Sequence, residues 1–312
     1  MKDCIIVGAG PAGIGAALEL KKVDIDFLLV EKADIGGKVN IAPSITNYPG
    51  YKEIEGPELV KVYADKIFNK VNYVADEVVR ISKVEDYFIV KLDHLGEIKT
   101  KTVIVATGSA NRIFSTLEET SEELGWKTYY NVLKYNHSKK DITAIFGGGN
   151  AALKEAIYLA DRIKKVYLIH RRDEFRGNQK LVEELKSRKN VEILTPYVAK
   201  HIELDYKNAA TNFPFNHKII ELRNTKTDAV KKIYVNQYYS SIGQVPTSEL
   251  CKTFRILNDS KEIIYDRKDN STAIEGLFAA GDVTNTPVKQ IYASEFSGKK
   301  AAESVIKFIL MN

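Results

Sequence analysis

The sequence predicts an α/β protein built from two doubly wound units, because a strand, a glycine-rich turn, a helix and a second strand follow one another twice. The length of 312 residues suits two domains, since domains usually hold about 100–200 residues. A hydrophobic fraction of 44% and a charged fraction of 28% are typical of a globular protein and exclude a disordered or collagen-like chain.

The first copy of the pattern lies near the N-terminus. Residues Cys4–Val7 form a short apolar run typical of a strand, and Ile14, Ala17 and Leu18 then recur at helical spacing. Residues Phe27–Val30 form the next apolar run. This order predicts a β-α-β unit with parallel strands, the opening of a Rossmann-like domain.

The second copy predicts a strand over Thr143–Phe146, a helix over 152–160 and a strand over Val166–Ile169. Three further strands are predicted at the positions Tyr87–Val90, Val103–Ala106 and Ile233–Val235. We therefore expect a second domain, residues 113–243, inserted into a first domain that is split into residues 1–112 and 244–312.

Charge and cysteine content limit the possible functions. The net charge of +5 is too small for this length to indicate nucleic-acid binding. The two cysteines, Cys4 and Cys251, form no Cys-x-x-Cys motif and favour a reducing, cytoplasmic location. We expect no signal peptide and no membrane segment, because the glycine motif begins within ten residues and no apolar run approaches about 20 residues. The histidines are scattered, so we expect no metal site.

The first glycine turn, residues 8–13, matches the GxGxxG motif between a strand and a helix. Glycines in this context let the backbone approach a pyrophosphate at the helix N-terminus. Glu31, at the end of the second strand, is placed to accept hydrogen bonds from an adenosine ribose. The first unit is therefore expected to bind a dinucleotide.

The second glycine turn, residues 147–152, has the GxGxxA form. At the corresponding ribose position the chain has His170, Arg171 and Arg172 instead of an acid, and Arg176 follows. Arginine offers a planar set of donors to a 2′-phosphate, which a carboxylate would repel. The second unit is therefore predicted to bind NADPH rather than NADH.

Several separate motifs now resemble one family. They are the first glycine turn with Glu31, Gly36-Gly37-Lys38, Asn47-Tyr48-Pro49-Gly50, Gly56-Pro57-Glu58-Leu59, Ala106-Thr107-Gly108, the second glycine turn with residues 170–176, and Ala279-Ala280-Gly281-Asp282. Together they resemble the low-molecular-weight thioredoxin reductases, NADPH-dependent flavoproteins of the pyridine nucleotide-disulfide oxidoreductases, over nearly the whole chain.

The resemblance implies two dinucleotide sites and a homodimer. FAD is expected at Gly8, Gly10, Pro11, Ala12, Gly13, Glu31, Lys32, Gly37, Lys38, Asn47, Ala106, Thr107, Gly108, Gly281, Asp282, Lys289, Gln290 and Ile291. NADPH is expected at Gly147, Gly149, Asn150, Ala151, Ala152, His170, Arg171, Arg172 and Arg176. No catalytic acid or base is expected, because hydride transfer belongs to the cofactors.

One motif of that family is missing. Those enzymes carry their redox-active Cys-x-x-Cys in the stretch that corresponds here to Lys127-Thr128-Tyr129-Tyr130-Asn131-Val132-Leu133, and neither tyrosine nor valine can form a thiolate. Tyr129 and Tyr130 either shield the flavin or pack as ordinary core residues. A related branch, the thioredoxin-reductase-like ferredoxin/flavodoxin–NADP reductases, also lacks the cysteines, and residues 293–296 resemble that branch.

These features predict an NADPH-dependent FAD oxidoreductase that passes electrons to a small acidic carrier, ferredoxin or flavodoxin. Two alternatives stay open. One is an oxidase or diaphorase with a quinone, oxygen or a disulfide as acceptor, and the other is a non-catalytic redox sensor that binds FAD and NADPH.

Overall fold

The computed structural model describes residues 1–68, 70–113, 128–130, 132–204 and 218–311. The chain divides into two compact units. Unit 1 comprises Met1–Ala110 and Val245–Asn312, and unit 2 comprises Asn111–Gln244.

Unit 1 is built on a seven-stranded sheet. Its strands are β1 (Lys2–Val7), β2 (Phe27–Glu31), β3 (Tyr73–Ala75), β4 (Val78–Val84), β5 (Tyr87–Leu92), β6 (Gly96–Val105) and β16 (Leu277–Ala279). The described α-helices of this unit are α1 (Pro11–Leu20), α2 (Gly56–Ile67) and α5 (Ile291–Met311). The strand order is β3-β2-β1-β6-β5-β4, with β16 beside β6.

Strand direction changes within this sheet. β1, β2, β3, β6 and β16 are parallel, whereas β5 is antiparallel to β6 and β4 is antiparallel to β5. The antiparallel strands were not part of the predicted doubly wound pattern. They follow one another with short turns, and a short turn reverses the chain, so it cannot join parallel neighbours.

Apolar residues pack on both faces of the unit 1 sheet. One cluster joins Ile6 and Ile104 to residues of α1, α2 and α5, and the other joins Ile5 and Val103 to Cys251 and Ile263. Because successive side chains of a strand point to opposite faces, the unbroken apolar run of β1 supplies both clusters. The carboxyl ends of the parallel strands therefore stand at one edge of a sheet that is covered on both sides.

Unit 2 contains a parallel sheet and a smaller antiparallel one. Its elements are β8 (Ile142–Phe146), α3 (Asn150–Ala160), β9 (Lys165–Ile169), α4 (Gln179–Ser187), β10 (Val191–Leu194), β11 (Tyr197–Leu204), β12 (Lys218–Asn224), β13 (Val230–Val235) and β14 (Gln237–Ser240). The parallel sheet has the order β10-β9-β8-β14 and the antiparallel sheet the order β11-β12-β13.

The chain passes between the units at two short strands that pair with each other, β7 (Ser109–Asn111) and β15 (Gln244–Pro246). The predicted fold class, α/β with two Rossmann-like units of which the second is inserted into the first, is confirmed. None of the described helices is both long and apolar enough to cross a membrane.

Candidate functional site

The first glycine turn connects β1 to α1 and leaves open space above it. Gly8 has a φ of 103°, and a Cβ there would lie 2.5 Å from the Ala106 oxygen. A Cβ at Gly13 would lie 1.7 Å from the Gly8 oxygen, whereas one at Gly10 would meet no atom within 4 Å. Gly8 and Gly13 therefore allow the tight turn, and Gly10 leaves room for a ligand.

Helix α1 presents its N-terminus to this space. Gly10 is the N-cap and Pro11 the first helical residue, no side chain caps the helix, and its first turn carries no acidic residue. The unpaired N–H groups and the positive end of the helix dipole favour an anion such as a pyrophosphate. Pro11, Ala12 and Gly13 thus form a helix N-terminus suited to a pyrophosphate, and their contact with FAD stays a prediction.

Glu31 ends β2 beside the same turn. Its Oε2 accepts a hydrogen bond of 2.7 Å from the Ala9 N–H, and its Oε1 accepts one of 2.9 Å from the Ala33 N–H. The carboxylate therefore fixes the turn, and its contact with an adenosine ribose stays a prediction. The neighbouring Lys32 forms an exposed ion pair of 2.9 Å with Glu77.

The ends of β6 and β16 complete this edge. The Ala106 N–H donates to the Val7 oxygen at 2.8 Å, and the Thr107 hydroxyl donates to the Thr247 oxygen at 2.6 Å. Gly108 follows with a φ of 66°, and Gly281, which follows β16, has a φ of 76°. The predicted residues 106–108 and 281–282 thus lie at the carboxyl ends of adjacent parallel strands, where ligands bind in open α/β sheets.

Asp282 brings distant segments together. Its Oδ2 lies 2.7 Å from Lys38 Nζ, and its Oδ1 accepts a 3.2 Å hydrogen bond from the Ser294 hydroxyl. Lys38 Nζ also donates to the Ser109 hydroxyl at 2.6 Å. Ser109 and Ser294 were not predicted as site residues, although Ser109 directly follows the predicted residues 106–108 and Ser294 lies within residues 293–296, which were singled out in the sequence.

The remaining predicted FAD residues lie near the start of α5 or beside the first turn. Asn47 Nδ2 donates to Gln290 Oε1 at 2.8 Å. Lys289 Nζ donates to Glu262 at 2.6 Å and to the main-chain oxygen of Asp282 at 3.0 Å. Ile291 is the first residue of α5, and a Cβ at Gly37 would lie 3.6 Å from Gly10 Cα.

The second glycine turn repeats this design in unit 2. Gly149 is the N-cap of α3, no side chain caps the helix, and a Cβ at Gly149 would meet no atom within 4 Å. A Cβ at Gly147 would lie 2.4 Å from the Ser241 oxygen. The turn is therefore close-packed below and open above, as a pyrophosphate requires. Ala151 and Ala152 continue the first turn of α3.

The loop after β9 folds onto this second turn. The N–H groups of Arg176 and Gly177 donate to the Gly148 oxygen at 2.9 and 3.1 Å, and the Asn178 N–H donates to Asn150 Oδ1 at 2.7 Å. Arg171, Arg172 and Arg176 are exposed. The structure thus places the predicted 2′-phosphate arginines and the glycine turn in one neighbourhood, where an extra anion has donors available.

His170 lies beneath the turn rather than among the exposed arginine side chains. The residue is buried, its ring stacks on Phe175 with a centroid separation of 5.3 Å, and a Cβ at Gly148 would lie 2.4 Å from that ring. Burial, reinforced by the charges of Arg176, Arg172 and Arg171, lowers the pKa of His170 from its ordinary value. The imidazole therefore supports the turn as a neutral ring, and the arginines supply the positive charge.

Tyr129 and Tyr130, which were predicted to lie in the stretch corresponding to the cysteine motif, belong to unit 2. Tyr129 packs against Tyr135 and Tyr239, with ring centroids 6.1 and 6.0 Å apart. Its main-chain oxygen accepts a 2.9 Å hydrogen bond from the Ser240 N–H. Tyr130 is half-buried. These contacts favour the packing alternative for Tyr129, and the flavin-shielding role of both residues stays a prediction.

A metal site does not emerge from the described part of the chain, which contains no group of three or more histidine, cysteine or carboxylate side chains suited to a metal ion. Both cysteines are buried in unit 1, Cys4 on β1 and Cys251 in the short helix Glu249–Phe254.

Known proteins resemble this chain along its whole length. The thioredoxin reductase of Ureaplasma parvum is 32% identical over 314 residues, which cover 99% of this chain and 97% of the relative. The thioredoxin reductase of Helicobacter pylori is 31% identical over 322 residues and covers 99% of both. The solved thioredoxin reductase of Lactococcus lactis matches with a TM-score of 0.88 and 27% identity over 100% of both chains.

These relatives overturn the predicted electron acceptor. The prediction of ferredoxin or flavodoxin as partner is wrong, because relatives that match over the whole chain are named as reductases of thioredoxin. The alternatives of a small-molecule acceptor and of a non-catalytic sensor are contradicted by the same relatives. The absence of one cysteine motif and a four-residue likeness at 293–296 do not specify a new partner.

The predicted cofactors, FAD and NADPH, are confirmed, since they are the cofactors of thioredoxin reductases. The two open glycine turns and the exposed arginines fit them. The family model for pyridine nucleotide-disulphide oxidoreductases matches residues 2–298. Because that match runs through both glycine turns and all the described strands, the chain belongs to the pyridine nucleotide-disulphide oxidoreductase family.

Proposed function

We propose that this protein is an NADPH-dependent flavin oxidoreductase that reduces a protein disulfide of the thioredoxin kind without a cysteine pair of its own. The names of the relatives support the acceptor class. The observation that carries the second part is the cysteine content, since the chain holds two cysteines and both are buried.

The two cofactors are assigned to different parts of the chain. We assign FAD to residues 1–112 and 244–312, where the first glycine turn, Glu31 and Asp282 would hold it. NADPH is assigned to residues 113–243, where the second glycine turn and the arginines after β9 would hold it. When bound, FAD accepts a hydride from NADPH and passes two electrons to an acceptor.

The cysteines of this chain are unsuited to an internal dithiol relay. Cys4 and Cys251 are both fully buried and lie on different elements. Burial raises the pKa of each thiol to about 12, so the reactive thiolate is disfavoured at neutral pH. Tyr129 and Val132 replace the pair that other family members use. The acceptor disulfide must therefore take its electrons directly from the cofactor site.

The overall reaction balances without protein thiols. NADPH and one proton supply two electrons and two protons in total. The acceptor's sulfur–sulfur bond breaks, its two sulfurs become thiols, and NADP⁺ leaves. The residues of this chain bind and align the two cofactors and supply no covalent intermediate.

A cysteine-free variant, Cys4→Ala with Cys251→Ala, tests both parts of the proposal. We expect wild type and variant, each loaded with FAD, to form thioredoxin thiols anaerobically at similar rates with NADPH. FAD content and thermal unfolding of the variant provide the control for folding. Loss of thioredoxin reduction in a folded, FAD-loaded variant would contradict the dithiol-free route.

A separate experiment tests the class of the electron acceptor. If wild-type enzyme reduces a dye with NADPH but forms no thiols on oxidised thioredoxin, the acceptor assignment is wrong while the cofactor assignment stands. We also propose, from the family resemblance, a homodimer in the cytoplasm. A monomeric mass by light scattering would contradict the dimer.

A further inference from the structure

A lysine lies in the crevice at the carboxyl edge of the unit 1 sheet. Lys38 belongs to the short helix Gly37–Ile41, which follows Gly36, a residue with a φ of 91°. The Gly36 N–H donates to the Ala9 oxygen at 2.8 Å, so this segment is fixed against the first glycine turn. Lys38 is thus held beside the turn that forms the dinucleotide cradle.

The ammonium group of Lys38 joins the loops after two parallel strands. Its Nζ lies 2.7 Å from Asp282 Oδ2, in the loop after β16, and 2.6 Å from Ser109 Oγ, in the segment after β6. β16 pairs with β6, and β6 pairs with β1. Lys38 therefore places a positive charge where the carboxyl ends of these strands meet, which is where open α/β sheets bind ligands.

The charge of Asp282 makes this lysine significant. The side chains of Lys38 and Asp282 are 31% and 17% exposed, so solvent screens their charges only in part. A carboxylate without a partner in this crevice would repel the pyrophosphate of a dinucleotide and the negative charge that accompanies its reduction. Lys289 donates to the main-chain oxygen of Asp282 and to Glu262, and not to the Asp282 carboxylate.

We propose that Lys38 is a positioning residue that compensates the charge of Asp282, so that the crevice accepts anionic FAD and favours its reduced form. The inference rests on the proposed function in taking this crevice as the FAD site. It adds a determinant of reduction potential and of FAD affinity that the glycine turn and Glu31 do not provide.

The test compares reduction potentials and FAD affinities of full-length variants. We expect Lys38→Met to lower the ratio of reduced to oxidised FAD about tenfold at a given potential, which is ~30 mV for a two-electron couple. FAD should also bind about tenfold more weakly. Lys38→Arg keeps the charge and should stay close to wild type.

The matched control is Lys2→Met. Lys2 forms an ion pair of 2.6 Å with Asp26, its side chain is 30% exposed, and it begins β1 at the opposite end of the strand. This variant loses one paired lysine of similar exposure and should keep the wild-type potential. A shift as large as that of Lys38→Met would overturn the inference.

The double variant Lys38→Met with Asp282→Asn separates charge compensation from other roles of the lysine. Because both charges are removed, its potential should return toward the wild-type value. A potential as low as that of Lys38→Met alone would overturn the inference. An unchanged potential in an FAD-loaded Lys38→Met protein would do the same and leave the FAD site in place, whereas a wild-type protein that binds no FAD would contradict the proposed function itself.

Discussion

Arg171 and Arg172 follow β9 with exposed side chains, close to the second glycine turn. We expect their joint replacement by alanine to raise the KM for NADPH at least about tenfold, because each hydrogen bond to a charged group contributes about 1.5–3 kcal/mol. The KM for NADH, which has no 2′-phosphate, should stay near its wild-type value. Dye reduction under steady-state conditions measures both constants.

Arg162→Ala provides the control for that experiment. Arg162 follows the opposite end of α3, where its guanidinium stacks 3.7 Å from the ring centroid of Tyr158. This variant should leave both KM values unchanged. If Arg171→Ala with Arg172→Ala raised the KM for NADH as much as that for NADPH, the assignment of the 2′-phosphate to these arginines would be wrong.

Glu155 contributes to the way in which the unfolding free energy depends on pH. Glu155 lies on α3, accepts a hydrogen bond from the Ser241 hydroxyl, and has its pKa raised from 4.5 to about 7 by burial. A raised carboxyl pKa stabilises the folded state below pH 4.5, and this contribution is lost as the pH rises through about 7.

Glu155→Gln should remove this loss, because the amide stays neutral. Between pH 5 and pH 8 the wild type should lose about 2 to 3 kcal/mol more unfolding free energy than the variant, as measured by urea unfolding. Glu183→Gln, an exposed change on α4, should behave as wild type. Equal pH dependence in Glu155→Gln and wild type would show that Glu155 is charged throughout this range.

Helices α1 and α5 approach each other closely because small residues line their contact. A Cβ at Gly298 would lie 1.8 Å from the Ala12 oxygen, and one at Gly15 would lie 2.3 Å from the Glu295 oxygen. Backbone atoms cannot yield as side chains do, so the helices would have to separate. The packing of α5 on α1 therefore depends on glycine in both helices.

Gly298→Ala should destabilise unit 1 by about 3 kcal/mol, since overpacking a closed contact forces the helices apart. Gly10→Ala is the contrasting variant, because a Cβ at Gly10 meets no atom within 4 Å. Chemical unfolding should show near wild-type stability for Gly10→Ala. The same variant should have lost its bound FAD. Wild-type stability in Gly298→Ala would contradict the packing explanation.

For the whole molecule, the two buried cysteines predict that the native enzyme has no reactive thiol. Both side chains are fully buried, so a maleimide should label neither in the native enzyme and both after denaturation. Adding NADPH to FAD-loaded enzyme should expose no further thiol, because no internal disulfide exists to be reduced. Mass spectrometry counts the labels, and an increase of two upon NADPH addition would contradict a dithiol-free enzyme.

Local patterns predicted the parallel framework of both units. The strands β1, β2, β8 and β9 and the helices α1 and α3 follow from short apolar runs and helical spacing around the glycine turns. The antiparallel strands β4 and β12 were not predicted from the local patterns, because their exposed faces mix polar and apolar residues. The acceptor could not be inferred either, since a lost motif says what is absent and not which partner remains.

The sequence by itself determined the class of fold, a dinucleotide site at the first glycine turn and the preference for NADPH at the second, because glycine turns, Glu31 and the arginines after β9 are contiguous signals of local chemistry. The identity of FAD followed from the family resemblance. Only the tertiary structure decided that Lys38 meets Asp282 and that Glu155 meets Ser241, since each pair is separated by many residues. It also placed His170 beneath Gly148 as a buried ring. Long-range contacts and burial arise when the sheets and helices pack together, and no local pattern encodes them.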